Sequence, residues 1–136
     1  MLTNDTLSLD SLHAALRNSP SGHGVKKPEG NMLRFSMHDR ECMIAVIGPH
    51  QIRLMMPSIV SVDSGLSRLQ QLEIVNEINS DLMLSAGAYL SEDDDIVFTR
   101  ALSVSGGISE NNFVMAVHEF FVECALNDDL IKKHTS

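Results

Sequence analysis

No stretch of the 136 residues approaches the roughly 18 to 20 consecutive apolar side chains that a membrane-spanning helix needs. The start, Met1-Leu2-Thr3-Asn4-Asp5, lacks the basic region and apolar run of a secretory leader. The cytoplasm is therefore the expected compartment. Basic charge is also scarce: 10 Lys and Arg stand against 18 Asp and Glu, a formal net charge of -8. Phosphate backbones need a basic surface and anionic membranes attract polybasic segments, so neither nucleic acid nor membrane is expected as a partner. The balance suits solubility and a basic or amphipathic protein partner. Cysteine is limited to Cys42 and Cys124, both in apolar runs and at no metal-like spacing. They read as buried, reduced thiols.

The motifs of catalysis and cofactor binding are missing as well. The six histidines, His13, His23, His38, His50, His118 and His134, show no close pair of the kind that grips zinc. All but His118 read as solvated; His118 falls between apolar helix positions and reads as partly buried with a hydrogen-bond partner. Glu92-Asp93-Asp94-Asp95 lacks the spaced ligands, the following Gly and the distal Glu of a calcium loop, and reads as a hairpin turn. Gly106-Gly107 has no Gly-Lys-Ser/Thr element and no dinucleotide fingerprint, so it reads as a turn requiring positive φ. No nucleophile, base and acid can be grouped from the sequence. No enzyme activity, cofactor or metal is expected.

What is present is a globular pattern. A chain of this length fits one domain over residues 1–136, and 43% hydrophobic residues suffice for a core. Leu9, Leu12 and Leu16 recur at helical spacing, predicting a helix over 8–18 capped by Ser8. Residues 19–31, with two prolines and three glycines, read as a long, mobile loop. Alternation then predicts strands at 32–37, 42–47 and 51–56, separated by His38-Asp39-Arg40-Glu41 and Gly48-Pro49, with Pro57 ending the third. A second helix is expected from a cap at Asp63 or Ser64. Its apolar positions would be Leu66, Leu69, Leu72, Val75 and Ile78, with Gln71 outside. Leu82, Leu84, Ala86, Ala88 and Leu90 alternate as a fourth strand, and residues 96–104 form a fifth. Ser109 with Glu110 and Asn112 opens a third helix marked by Phe113, Val117, Phe120 and Cys124, and residues 128–136 read as a frayed tail. The predicted fold class is α+β in the order α-β-β-β-α-β-β-α, an antiparallel five-stranded sheet with its helices mainly on one face.

The helix segment Ile74-Val75-Asn76-Glu77-Ile78-Asn79, the two strands around the acidic turn, and Gly106-Gly107-Ile108-Ser109-Glu110 before a Phe-rich helix resemble the YbjN family, a family labelled a bacterial sensory transduction regulator. The likeness is clearest over residues 64–127. Relatives often carry an aromatic residue just before the second Asn, where this chain has Ile78. The resemblance implies a fold similar to the type III secretion chaperones, a non-enzymatic role, and a habit of forming homodimers. Asn76 and Asn79 lie one turn apart; they read either as partner contacts or, as favoured here, as amides that tie the helix end to the following strand.

Two anomalies remain. Met43, Ala45 and Ile47 point away from Cys42, Ile44 and Val46, so β-alternation gives the second strand an apolar second face. Arg53 and Met55 on the third strand, and Met83 and Tyr89 on the fourth, fall on that same face. A second subunit or a client segment would bury it; the alternative is that loop 19–31 or the first helix folds over it. Met43, Ala45, Ile47, Arg53, Met55, Met83 and Tyr89 are accordingly the candidate partner or dimer surface. Arg100 shares a face with Ile96, Phe98, Leu102 and Val104, and either pairs with a carboxylate, snorkels from an edge, or marks a bulge. The expected function is a homodimeric protein-binding module with a regulatory or chaperone-like role; the alternatives are a dedicated type III secretion chaperone and, after it, a small-ligand-binding domain or enzyme.

Overall fold

The computed structural model describes residues 1–20, 22–60, 65–81 and 85–135. The elements run α1 (Leu9–Arg17), β1 (Leu33–Met37), β2 (Arg40–Ile47), β3 (Gln51–Pro57), α2 (Arg68–Asn79), β4 (Gly87–Leu90), β5 (Ile96–Ser103) and α3 (Glu110–Thr135). The strands form one five-stranded antiparallel sheet in the order β1-β2-β3-β5-β4. This is the predicted α+β class with the predicted element order.

The chain divides into two compact units, Met1–Leu54 with Ala101–Glu119, and Met55–Arg100 with Phe120–Ser136. In the first, Ser8 caps α1 in a capping box with Ser11, and Leu12, Ala15 and Leu16 form the buried stripe. β1 and β2 make a hairpin in which Phe35 faces Cys42 and Leu33 faces Ile44, all four fully buried. Its turn is shorter than the tetrapeptide the sequence suggests. His38 and Asp39 both take positive φ, 53° and 61°, as a two-residue hairpin turn requires, so Arg40 and Glu41 join β2. Residues 22–32 are tied to the sheet rather than left loose. Val25 bridges Phe35, Lys26 N–H donates to the Arg34 carbonyl at 3.0 Å, and Glu29 bridges Met32. Leu2 bridges Ile108 just after Gly106 and Gly107, whose φ values of 82° and 89° are the left-handed turn expected there. His118 on α3 meets Phe35 edge-on, ring centroids 6.1 Å apart, while its Nδ1 pairs with the Val114 carbonyl at 2.8 Å.

In the second unit, α2 is capped by Ser67 in a capping box with Gln70. The expected cap positions, Asp63 and Ser64, lie outside the described residues, and Leu66 precedes the helix. The buried stripe is Gln71, Ile74, Val75 and Ile78, whereas Leu69 is 67% and Leu72 38% exposed. The expected stripe advanced in steps of three and drifted off the face; positions 71, 74, 75 and 78 keep the true helical period. Gln71 belongs inside because its amide donates to the Asp94 main-chain carbonyl at 2.7 Å. The β4–β5 turn is closed by Ser91 N–H to Asp95 O at 2.9 Å, with Asp94 at φ 62°, and Arg68 pairs with the Asp94 carboxylate. Leu82, Met83 and Leu84 lie outside the described residues, and β4 is observed from Gly87.

The largest correction concerns the chain's end. Residues 128–135 are not a frayed tail, because α3 runs unbroken for 26 residues to Thr135. Asn127, Asp128 and Ile131 continue its buried face, and His134 pairs with Glu77 at 3.0 Å. β5 is likewise unbroken, and Arg100 sits half-buried in it between buried Phe98 and Leu102.

Candidate functional site

The candidate surface follows from strand alternation. On β2, Cys42 and Ile44 are fully buried, and the intervening side chains face the other way. Of these, Met43 is half-buried, Ala45 is 8% exposed and Ile47 is 48% exposed. On β3, Ile52 and Leu54 are buried and Arg53 is half-buried between them. Met43 stands opposite Arg34 in the β1–β2 register, and Ser36 opposite Glu41. The first unit thus presents Met43, Ile47 and Arg53 on that side, whereas Ala45, expected on the same surface, is buried and Val46 next to it is half-buried.

A charged border adjoins it. Glu41 accepts from Arg34 at 2.7 Å and from Lys26 at 3.3 Å. The Arg34 hydrogen bond lowers the Glu41 pKa below the ordinary carboxylate value; partial burial opposes this, and Lys26 adds to the lowering. Lys26 belongs to the segment running alongside β1, whose main-chain bonds follow the strand edge.

In the second unit, Met55 is half-buried between buried Leu54 and Met56. Tyr89 is 41% exposed and stands opposite Val97 in the β4–β5 register. Met83 lies outside the described residues.

Three features were misplaced or missed by sequence reasoning. Leu69 and Leu72, assigned to the core, are surface residues. Met115, Val122 and Leu126 form an exposed apolar series on α3, at 58%, 62% and 51% exposure. Their spacing of seven and four was visible, but the surrounding apolar residues hid which stripe faces inward. The two asparagines also separate. Asn79 ties α2 to β4 through both its amide atoms, whereas Asn76 is exposed and its main-chain carbonyl accepts from Ser80 Oγ at 2.7 Å.

For other chemistry the described residues offer little. They contain no group of three or more His, Cys, Asp and Glu able to hold a metal, and no helix long and apolar enough to cross a membrane. Both cysteines are buried and form no disulfide. A hollow of about 680 Å³ in the second unit is lined by Asp81, Leu126, Asn127, Asp129, Leu130 and Lys133. Its charged lining is two carboxylates, Asp81 and Asp129, and the Lys133 ammonium, with no Ser, Cys or His.

Comparison with known proteins bears on the family and the fold. The model of the YbjN family, described as "putative bacterial sensory transduction regulator", matches residues 8–132. The crystal structure of YbjN from E. coli is similar with a TM-score of 0.68 at 20% identity, over 94% of this chain and 93% of that one. The Yersinia pestis type III secretion chaperone SycH, in complex with a stable fragment of YscM2, is similar with a TM-score of 0.58 at 14% identity. That match covers 88% of this chain and 98% of SycH. No curated protein matches the chain.

Proposed function

Since the chain belongs to the YbjN family, described as a regulator rather than an enzyme, we propose that it is a protein-binding module with a regulatory or chaperone-like role, acting as a homodimer. This reading treats the 136 residues as one functional domain working in the cytoplasm, without cofactor. The observation that carries it is Ile47, 48% exposed on the same strand as half-buried Met43. An isoleucine on a strand face contributes stability when something covers it, by up to about 1.5–3 kcal/mol for full burial. Methionine adapts its shape to varied neighbours, which suits a surface that meets another chain. Arg53 and Met55 on β3, and Tyr89 on β4, extend the list of contacts this reading assigns, and Met83 is assigned with them.

The test is the solution mass of the full chain, wild type against Met43→Glu, Ile47→Glu and Met55→Glu, together with affinity purification from the native host. A wild-type dimer and a specific bound protein, both weakened in the variants at unchanged helix content, support the reading. A monomeric wild type whose bound proteins are the same in all variants overturns it.

A dedicated secretion chaperone is the second reading, favoured by the likeness to SycH, whose structure holds a fragment of another protein. Co-expression with a secreted effector encoded nearby distinguishes it: a soluble complex with that effector supports it, and a lone effector that stays insoluble counts against it.

A further inference from the structure

The chain carries a net charge of -8, yet its charges are unevenly spread. Residues 25–57, which supply β1, β2 and β3, hold five of the 10 Lys and Arg but only three of the 18 Asp and Glu, namely Glu29, Asp39 and Glu41. Their balance is +2, and the rest of the chain carries -10. Net charge alone points to a basic partner, whereas the first three strands point to an acidic one.

Strand alternation decides where these charges stand. Phe35, Cys42, Ile44, Ile52 and Leu54 are buried on one side of the sheet, so Arg34, Glu41, Met43 and Arg53 face the other. Lys26 reaches the same side from the β1 edge, its Nζ 3.3 Å from the Glu41 carboxylate, which also accepts from Arg34 at 2.7 Å. Glu41 thus answers two cations with one charge. Arg53 has no such answer: it is half-buried, and among the described residues no side-chain hydrogen bond or ion pair reaches it. A guanidinium presents five donors in a fork that matches a carboxylate, so a partly desolvated Arg without one favours an incoming carboxylate. β2 lies between β1 and β3 in the sheet, which sets half-buried Met43 and exposed Ile47 between the β1 cations and Arg53.

The same charges bear on a second copy as occupant. A twofold contact places one patch against itself, so two cationic faces would meet and oppose each other. An acidic segment with apolar side chains meets no such opposition and covers Ile47 as well. We propose that this face takes an acidic, apolar segment of a partner protein, with a carboxylate on Arg53 and apolar side chains on Met43 and Ile47. The inference rests on the reading of β2 as the partner surface and names the chemistry of what binds there.

The test is a selection of random dodecapeptides displayed on phage against the full chain. Selected peptides are then synthesised with a fluorescent label, and their anisotropy is titrated against wild type, Arg53→Glu, Met43→Glu and Ile47→Glu. The expected peptides are rich in Asp and Glu beside apolar residues, bind at least about tenfold more weakly to Arg53→Glu, and weaken as salt rises. Met43→Glu and Ile47→Glu weaken them too. Should Arg53→Glu fail to melt cooperatively, Arg53→Gln decides by the same titration. A selection without binders, or acidic peptides that bind Arg53→Glu as well as wild type, overturns the proposal. Neutral or basic peptides that lose affinity in Ile47→Glu overturn it while leaving the β2 surface in place. Peptides indifferent to both Met43→Glu and Ile47→Glu remove that surface and the proposal with it. A labelled single-stranded oligonucleotide that binds more tightly than any peptide and depends on Arg53 assigns the face to nucleic acid instead. A dimer mass lost in Arg53→Glu, with no acidic peptide bound to wild type, assigns it to a second copy.

Discussion

Ser58 Oγ donates a hydrogen bond to Asp128 Oδ1 at 2.6 Å, joining positions 70 residues apart, with both residues nearly inaccessible. The same oxygen accepts the Val60 N–H at 3.1 Å, while the Ser58 N–H donates to the Ile96 carbonyl at 2.8 Å. A serine just past β3 therefore holds both the chain's exit from the strand and the third turn from the end of α3. Replacing it leaves a buried carboxylate short of a donor. Ser58→Ala is expected to cost about 1–3 kcal/mol, seen as a lower denaturant midpoint at unchanged m.

The end of α3 should behave as core. Ile131 is fully buried, so Ile131→Ala is expected to cost about 2–5 kcal/mol, while Lys132→Ala, on the exposed face, should stay within about 0.5 kcal/mol. Chemical denaturation of the two variants checks this. Equal, negligible effects would return residues 128–135 to the status of a tail.

On α2, the observed stripe and the stripe expected from sequence make opposite forecasts. Ile74→Ala, at 1% exposure, should cost about 2–5 kcal/mol. Leu69→Glu, at 67% exposure, should change stability by no more than about 0.5 kcal/mol. Thermal melts of both variants decide between the stripes, since the sequence-based stripe predicts a severe loss at Leu69.

Glu41 gives a pH dependence with a definite sign. Its folded pKa is lowered, chiefly by the Arg34 hydrogen bond, so its stabilising contribution is present above the unfolded carboxylate pKa. It is lost as pH falls through the folded value. The pair is partly exposed and screened, so the contribution is below about 1 kcal/mol. Arg34→Ala should raise the Glu41 titration midpoint, followed by NMR of its side-chain carbonyl carbon, and should flatten the acid limb of the stability curve.

Element order and type were legible because the period of apolar residues is a local signal. Ser8 before Leu9, Leu12 and Leu16 located α1, and Phe35 and Cys42 lie on the predicted strands. The errors arose where two or more periods fit the same residues. Leu66, Leu69 and Leu72 form a plausible stripe on paper, and only the contact of Gln71 with the β4–β5 turn selects the rotation of α2. Asn127-Asp128-Asp129 looks like a polar stop, yet Ser58 receives Asp128 and Ile131 continues the buried face beyond it. The candidate surface was legible in part, since strict alternation assigned Met43 and Ile47 to the side opposite Cys42 and Ile44.

The sequence by itself determined the class of molecule: an acidic α+β chain without metal or nucleotide motifs, and with a family resemblance carried by a few residues around Asn79 and Gly106-Gly107. These follow from composition and from periods of two and 3.6, which each segment carries whatever it packs against. The tertiary structure alone decided which polar groups are inside, how far α3 extends, and that Asn79 bonds the main chain of Ala88 while Glu123 accepts the N–H groups of Ser85 and Ala86. Those outcomes depend on partners dozens of residues away. A buried Asp or an amide that bonds the main chain is stable only once its distant donor or acceptor is in place.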